Sequence, residues 1–185
     1  MNQELAGLID DAQTVTAEAE NRFGKLSTEQ LNWRPSESEW SVAQCLEHLI
    51  VSNAGYFPIF ERISRGEHRP SLKERLPLLP SLFGSLVLRA VKPQTKQKLK
   101  ARPNFQPSRS EIKPDIVTRF QAQQREVIDH MNRTKDVDLK MIITSPVLSI
   151  VTYSLLDAFK IVVAHEQRHL AQARRVTERN GFPAK

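Results

Sequence analysis

With 185 residues, 39% of them hydrophobic and 26% charged, the chain has the composition of one soluble globular domain, which we place over residues 1–185. Its formal net charge of +6 is modest, and no apolar stretch is long enough to span a bilayer, so no membrane span is predicted. The N-terminus is acidic where a secretory signal would be basic, and a single cysteine, Cys45, cannot form an internal disulfide, so we expect a cytoplasmic protein.

The first predicted element is an amphipathic helix over Gln3–Phe23. Its apolar residues recur at spacings of three and four, with acidic residues between them. After this helix, the run Ser27-Thr28-Glu29-Gln30-Leu31 has the pattern of a short capped turn, and Pro35 ends it.

The second long helix is predicted to follow Ser41 and to continue to about Arg65. Ser41 and Gln44 have the spacing of a capping box, in which each side chain pairs with the backbone N–H of the other residue. An apolar stripe that includes Cys45 and Leu49 continues the helical periodicity.

A long connection is predicted over residues 66–114, because seven of the eleven prolines lie there. A short apolar helix is expected within it at residues 81–91. The connection is also basic, since residues 61–113 contain thirteen Lys and Arg against four Asp and Glu. A solvated basic loop is the simplest interpretation, and an anionic partner is the alternative.

The third long helix is predicted over residues 115–133, with Pro114 suited to its first turn. The fourth is predicted from Thr152 to Asn180, where Gly181 provides a stop signal. Four long helices and no convincing pair of strands predict an all-α four-helix bundle with a long connection between helices two and three.

The last helix carries polar residues on its apolar face. Steps of three and four place Leu155, Ala158, Val162, His165, His169, Gln172 and Val176 on one seam. An imidazole without a partner in an apolar interior costs about 1–3 kcal/mol, so two successive histidines on this seam indicate a ligand. Histidines at i and i+4 can reach one metal ion together.

We predict His48 as the third ligand, because it is the remaining histidine inside a strongly patterned helix. Three neutral imidazoles leave a coordination position for water or substrate, as in catalytic sites, and zinc or nickel suits such ligands. Gln44 and Gln172, each one turn from a histidine, are candidates to hydrogen-bond a ligand ring or the bound water.

The run His165-Glu166-Gln167-Arg168-His169 also matches the HExxH pattern of metallopeptidases, in which the glutamate is a general base. Only sixteen residues follow it, and they contain no histidine for the third ligand. Glu166 lies about 100° from the histidines around a helix, so a solvated glutamate is an equally good interpretation. A peptidase is therefore disfavoured.

Each candidate also has a simpler structural interpretation. His48 alone would more often be a hydrogen-bonded core residue than a ligand. Cys45 could supply a thiolate, but a small buried hydrophobe is the better expectation. His68, in a polar loop, and His130, near the end of the third helix, are expected at the surface.

Two segments resemble the DinB-like superfamily: Trp40-Ser41-Val42-Ala43-Gln44-Cys45-Leu46-Glu47-His48-Leu49, and His165-Glu166-Gln167-Arg168-His169-Leu170-Ala171-Gln172. In that family a Trp-Ser pair opens helix two, a histidine follows about seven residues later, and a His-x-x-x-His-x-x-Gln segment lies in the last helix. The resemblance implies a four-helix bundle, commonly a homodimer, with a three-histidine metal site and a pocket beside it.

The resemblance also implies enzymes that use a low-molecular-weight thiol. The leading hypothesis is a metal-dependent hydrolase or thiol-S-transferase, in which the ion activates water or a thiol for attack on a small-molecule substrate. The basic residues Lys96, Lys98 and Lys100 would then recognise carboxylates of the thiol. The alternative is a non-catalytic, metal-stabilised binding module. A nucleic-acid binder is disfavoured because Phe105 alone offers an aromatic ring beside these charges.

Overall fold

A computed structural model describes residues 2–75, 80–93 and 103–184. Within these residues the helices are α1 (Gln3–Phe23), α2 (Thr28–Asn32), α3 (Val42–Ala54), α4 (Phe57–Ser64), α5 (Pro80–Val91), α6 (Ile116–Arg133) and α7 (Leu155–Thr177). Two strands, β1 (Ile142–Thr144) and β2 (Thr152–Ser154), complete the regular elements together with the 3₁₀ turns Lys73–Arg75 and Pro103–Phe105. The long helices α1, α3, α6 and α7 pack together as the predicted four-helix bundle.

The helix starts are stabilised by the side chains that the sequence indicates. Ser41 Oγ accepts from the Gln44 backbone N–H at 3.1 Å, and Gln44 Oε1 accepts from the Ser41 backbone N–H at 3.1 Å. The predicted capping box is therefore confirmed. Ser154 caps α7 in a simpler way, by accepting from the Asp157 N–H at 3.0 Å. Such caps satisfy backbone donors that a helix leaves free in its first turn.

The second predicted helix is two helices, which corrects the expectation of one element to Arg65. α3 ends at Ala54, and α4 begins at Phe57 with Pro58 in its first turn. A proline inside a helix removes one N–H and its ring clashes with the carbonyl four residues earlier, here that of Ala54. Pro58 was the sequence signal for this break.

The region before α7 also differs from the prediction, which placed the start of the last helix at Thr152. Residues 152–154 form β2 instead, antiparallel to β1, with Ile143 opposite Tyr153. Both strands are rich in β-branched and aromatic residues, which favour extended backbone. The chain is an all-α bundle as expected, with one small hairpin added to it.

Two apolar clusters and a polar layer make up the interior. One cluster joins the N-terminal halves of α1 and α7 to α4 and the C-terminal half of α6. The other joins the C-terminal halves of α1 and α7 to α2, α3 and the N-terminal half of α6. Polar residues lie between the two clusters along α3, α6 and α7, and we call them the polar layer. It consists of the half-buried His165 and the buried His48, Ser52, Asn53, Gln123, Gln124, Glu166 and His169.

The long connection between helices two and three contains α5, close to its predicted position, and α5 packs on α7 and β2. The contact is close at Gly84, where a Cβ atom would lie 2.8 Å from Asp157 Oδ2, so a larger residue would require the Asp157 side chain to move. In the part of the chain that the structure describes, none of the helices is both long and apolar enough to cross a membrane.

Candidate metal centre

The three histidines that the sequence singled out meet in the polar layer. His48 lies on α3, and His165 and His169 lie one turn apart on α7. Nε2 of His48 is 3.2 Å from Nε2 of His165, and one nitrogen from each ring lies within 4.8 Å of the others. The ring centroids of His48 and His169 are 4.6 Å apart. Among the described residues this is the group of at least three His, Cys, Asp or Glu side chains that could hold a metal ion.

A hydrogen bond from the long connection fixes the tautomer of His48. Nδ1 of His48 lies 2.6 Å from the backbone carbonyl oxygen of Phe105. A carbonyl can only accept, so Nδ1 carries the proton and donates it. Nε2, which faces His165, therefore keeps its lone pair available for a metal.

Burial keeps all three rings neutral. It lowers the pKa of His48 below its ordinary value of 6.5, while the hydrogen bond to Phe105 acts in the opposite direction. Burial, together with smaller contributions from His48 and Arg168, lowers the pKa of His165 to about 3. The pKa of His169 lies well below its ordinary value for the same reasons, although the Gln172 side chain opposes the shift. Neutral imidazoles are the form that binds metals.

The arrangement fits a divalent ion in three respects. Two nitrogens that bind one tetrahedral ion at about 2.0–2.1 Å are roughly 3.3 Å apart, and the two Nε2 atoms of His48 and His165 are 3.2 Å apart. Nδ1 of His169 is buried and has no hydrogen-bond partner in the part of the chain that the structure describes. The donor set of three imidazoles is also the one that zinc, nickel and related ions accept.

An indole ring forms one wall of the histidine cluster. Trp40 stacks on His169, with centroids 5.6 Å apart and an interplanar angle of 24°, and its centroid is 4.9 Å from that of His48. His48 and His169 are buried, whereas His165 is partly exposed. His165 is therefore the most accessible of the three rings.

The end of the long connection is held against α3 beside the cluster. Gln44 Nε2 donates to the Ser108 carbonyl at 2.9 Å, and the Ser108 N–H donates to Glu47 Oε2 at 2.6 Å. The sequence did not predict Phe105 as a hydrogen-bond partner of His48. A backbone carbonyl leaves no trace in residue identity, so the sequence held no signal for this contact.

The weaker candidates take different places. Both ends of the Gln44 amide are engaged, with Ser41 and Ser108. Gln172 interacts with the His169 ring. The expectation of a solvated Glu166 is wrong, because this side chain is completely buried. It points to α3 and α6, where it accepts hydrogen bonds from Asn53 and Gln124. A carboxylate in that position is poorly placed for the general base of an HExxH peptidase.

Three other residues complete the comparison with the sequence. Cys45 is buried in the apolar cluster that joins α2 and α3 to the C-terminal halves of α1 and α7. This agrees with the expectation of a small buried hydrophobe. His130 was expected at the surface but is 5% exposed and packs near the rings of Phe57 and Phe60. The His68 side chain, also expected there, is largely buried, with Nε2 3.6 Å from a Glu74 carboxylate oxygen. Lys96, Lys98 and Lys100 lie outside the described residues.

Comparisons with known proteins agree with this architecture. The sequence profile of the DinB superfamily matches residues 12–173. A search of curated proteins found no significant match. Among solved structures, the chain is similar to one described as YfiT from Bacillus subtilis, "a probable metal-dependent hydrolase with an unusual four-helix bundle topology". The likeness has a TM-score of 0.61 at 16% identity and covers 99% of this chain and 91% of the other, so it shows a shared fold.

Proposed function

The chain belongs to the DinB superfamily, and on that premise we propose that it is a metal-dependent enzyme in which His48, His165 and His169 hold one divalent ion. The observation that carries the proposal is the 3.2 Å separation of the Nε2 atoms of His48 and His165, two residues that are 117 positions apart in the chain. The name of the solved neighbour, a probable metal-dependent hydrolase, supports the same class of activity.

When bound, a zinc or nickel ion would supply Lewis-acid activation of water or of a low-molecular-weight thiol for attack on an electrophilic small molecule. The protein's own contribution is orientation and exclusion of water. Phe105 holds the His48 ring in one tautomer, and Trp40 covers the cluster on one side. The partly exposed residue of the cluster is His165, where we expect a substrate to approach.

The three histidines that would face this substrate carry no charge. The three rings are neutral, and the charge of Arg168 lowers the pKa of both His165 and His169. Nη1 of Arg168 donates to the Lys92 carbonyl at 3.0 Å, which places the guanidinium at the C-terminal end of α5. An electrophile that carries an anionic group fits this distribution of charge.

Elemental analysis of the purified protein tests the ligand set directly. We expect about one divalent ion per chain in the wild type and its loss in His48→Ala, His165→Ala and His169→Ala, each with the helical circular dichroism spectrum retained. Val51→Ala is a matched control on α3, since Val51 is an exposed residue of the same helix. Full metal content in His48→Ala would exclude that residue as a ligand.

Turnover separates an enzyme from a metal-stabilised binding module. The metal-loaded protein is incubated with ester, amide and electrophilic substrates, with and without a panel of low-molecular-weight thiols. Turnover that disappears on chelation and in His165→Ala supports the enzyme. Metal-dependent stabilisation without turnover across the panel supports the binding module instead. The homodimer implied by the family stays a prediction, which light scattering on the purified chain tests.

A further inference from the structure

Glu166 stands between the two metal-site histidines in sequence but faces another part of the bundle. It is 0% exposed, although ionisable side chains are seldom fully buried without partners. Its Oε1 atom accepts from Asn53 Nδ2 on α3 at 2.7 Å and from Gln124 Nε2 on α6 at 2.6 Å. One oxygen of α7 therefore joins three helices of the bundle at a single point.

This point lies close to the histidine cluster along both helices. Glu166 follows His165 directly, about 1.5 Å further along the axis of α7 and about 100° around it. Asn53 follows His48 by five residues, about 7.5 Å along α3. α3 and α7 are thus linked at two positions along α3. One is the contact of His48 with His165, and the other is the Asn53–Glu166 hydrogen bond. Two such links set both the rotation of α7 and its axial position relative to α3.

We propose that Glu166, held by Asn53 and Gln124, is a positioning residue that sets the rotation of α7 and so directs the His165 and His169 rings at His48. The inference rests on the proposed metal-dependent function, and it assigns Glu166 a role different from that of the HExxH general base. The carboxylate has no hydrogen bond to any of the three imidazoles.

The strength of this link follows from burial. Asn53 is 1% exposed and Gln124 is 0% exposed. If Glu166 were removed, neither amide could donate its hydrogen bond to water instead. Buried donors without an acceptor are costly, and the helices would have to shift to satisfy them again. A metal site is sensitive to such shifts, since its ligands must be held to within about 0.5 Å.

The unpaired atoms of the group suggest a conservative replacement. Glu166 Oε2 and Gln124 Oε1 are both buried without a hydrogen-bond partner among residues 2–75, 80–93 and 103–184. A glutamine at position 166 keeps one oxygen for the two amide donors and adds an N–H that can serve a free acceptor. Glu166→Gln should therefore retain the position of α7, whereas Glu166→Leu keeps a similar volume and removes the acceptor.

The experiment measures the affinity of the metal-free protein for Zn²⁺ and Co²⁺ by competition with a chelator, together with urea unfolding. We expect Glu166→Leu to lose about 10- to 100-fold in affinity, the usual effect of removing a residue that orients a ligand, and Glu166→Gln to stay within about threefold of the wild type. Tyr153→Phe is the matched control, because it removes another buried hydrogen bond, the 2.7 Å pair with Tyr56, without touching the cluster.

Three results of the affinity measurement would overturn the inference. These are wild-type affinity in Glu166→Leu, an equal loss in Glu166→Gln, and an equal loss in Tyr153→Phe, which would reduce the effect to general stability. Loss of turnover in Glu166→Gln with full metal affinity would also overturn it, in favour of a general base. If Glu166→Leu does not fold, Asn53→Ala replaces it, with a smaller loss of affinity expected and wild-type affinity as the contrary result.

A failure of the proposed function can be told apart from a failure of this inference. A wild-type protein that binds neither Zn²⁺ nor Co²⁺ contradicts the proposed function. The positioning role is then decided by a crystal structure of Glu166→Leu. A wider separation of the Nε2 atoms of His48 and His165 supports it, and an unchanged separation of 3.2 Å overturns it.

Discussion

The apolar clusters and the polar layer between them differ in how well their buried atoms are satisfied. The apolar clusters are built from side chains such as Phe23 and Phe60, which are 1% and 0% exposed and require no partner. The polar layer contains four of the five buried side-chain atoms that have no hydrogen-bond partner among the described residues, and these atoms are Gln123 Oε1, Gln124 Oε1, Glu166 Oε2 and His169 Nδ1.

This contrast separates stability from function within one bundle. Each buried polar atom without a partner costs about 1–3 kcal/mol, so the polar layer lowers the stability that the clusters provide. The two regions therefore differ in what they contribute to stability, and variants of each region test this division.

The largest expected effect comes from cutting a large side chain in either apolar cluster. Phe23→Ala and Phe60→Ala should each lower the free energy of unfolding by about 3–5 kcal/mol, because the truncation removes apolar contact and leaves a cavity. Urea unfolding followed by circular dichroism measures the change. Losses below about 1 kcal/mol in both variants would contradict the assignment of stability to the clusters.

The next effect concerns the polar layer and pH. Burial lowers the pKa of folded His165 from 6.5 to about 3, so between these pH values the unfolded chain binds more protons than the folded one. Stability therefore rises with pH in this window and is lost as the pH falls below 6.5.

Urea unfolding of the metal-free protein at pH 7, 6, 5 and 4 measures this dependence. We expect the midpoint to fall with pH in the wild type and to fall less steeply in His165→Ala, which removes one of the groups responsible. Carboxylates contribute equally to both proteins, so the difference in slope isolates the histidine. Identical slopes would show that His165 is not held neutral by burial.

A smaller effect is expected where a polar atom is introduced into an apolar cluster. Cys45 is 0% exposed, and burial raises the pKa of its thiol to about 12, so it remains a neutral hydrophobic group. Cys45→Ser should lower the free energy of unfolding by about 1–3 kcal/mol, because the hydroxyl gains no partner there. Cys45→Ala is the control, and an equal loss in both variants would trace the effect to volume and not to polarity.

The smallest effect is expected at the surface, outside both regions. Lys160 Nζ lies 2.7 Å from Glu4 Oε1, but the Glu4 side chain is 58% exposed. Solvent and salt screen such a pair, so Lys160→Ala should change the free energy of unfolding by about 0.2–1 kcal/mol. A thermal or urea unfolding curve at low and high salt checks this, and a loss comparable to that of Phe60→Ala would contradict it.

Much of this could be predicted from local patterns in the sequence. The apolar periodicity located α1 and α6 to within a residue, the Ser41–Gln44 spacing located the start of α3, and the resemblance named the family. The break at Pro58 and the strand before Leu155 also had local signals, a proline and β-branched runs. These features follow from steric and hydrogen-bonding preferences of neighbouring residues, which the sequence contains directly.

The sequence by itself determined which faces of the helices are buried and that two histidines share the seam of α7. Only the tertiary structure decided that His48 faces His165, that the Phe105 carbonyl fixes the tautomer of His48, and that Glu166 turns inward to Asn53 and Gln124. Periodicity shows that a position is covered but not which helix covers it. A polar side chain is satisfied by a specific partner far away in the chain, and that partner is chosen by packing.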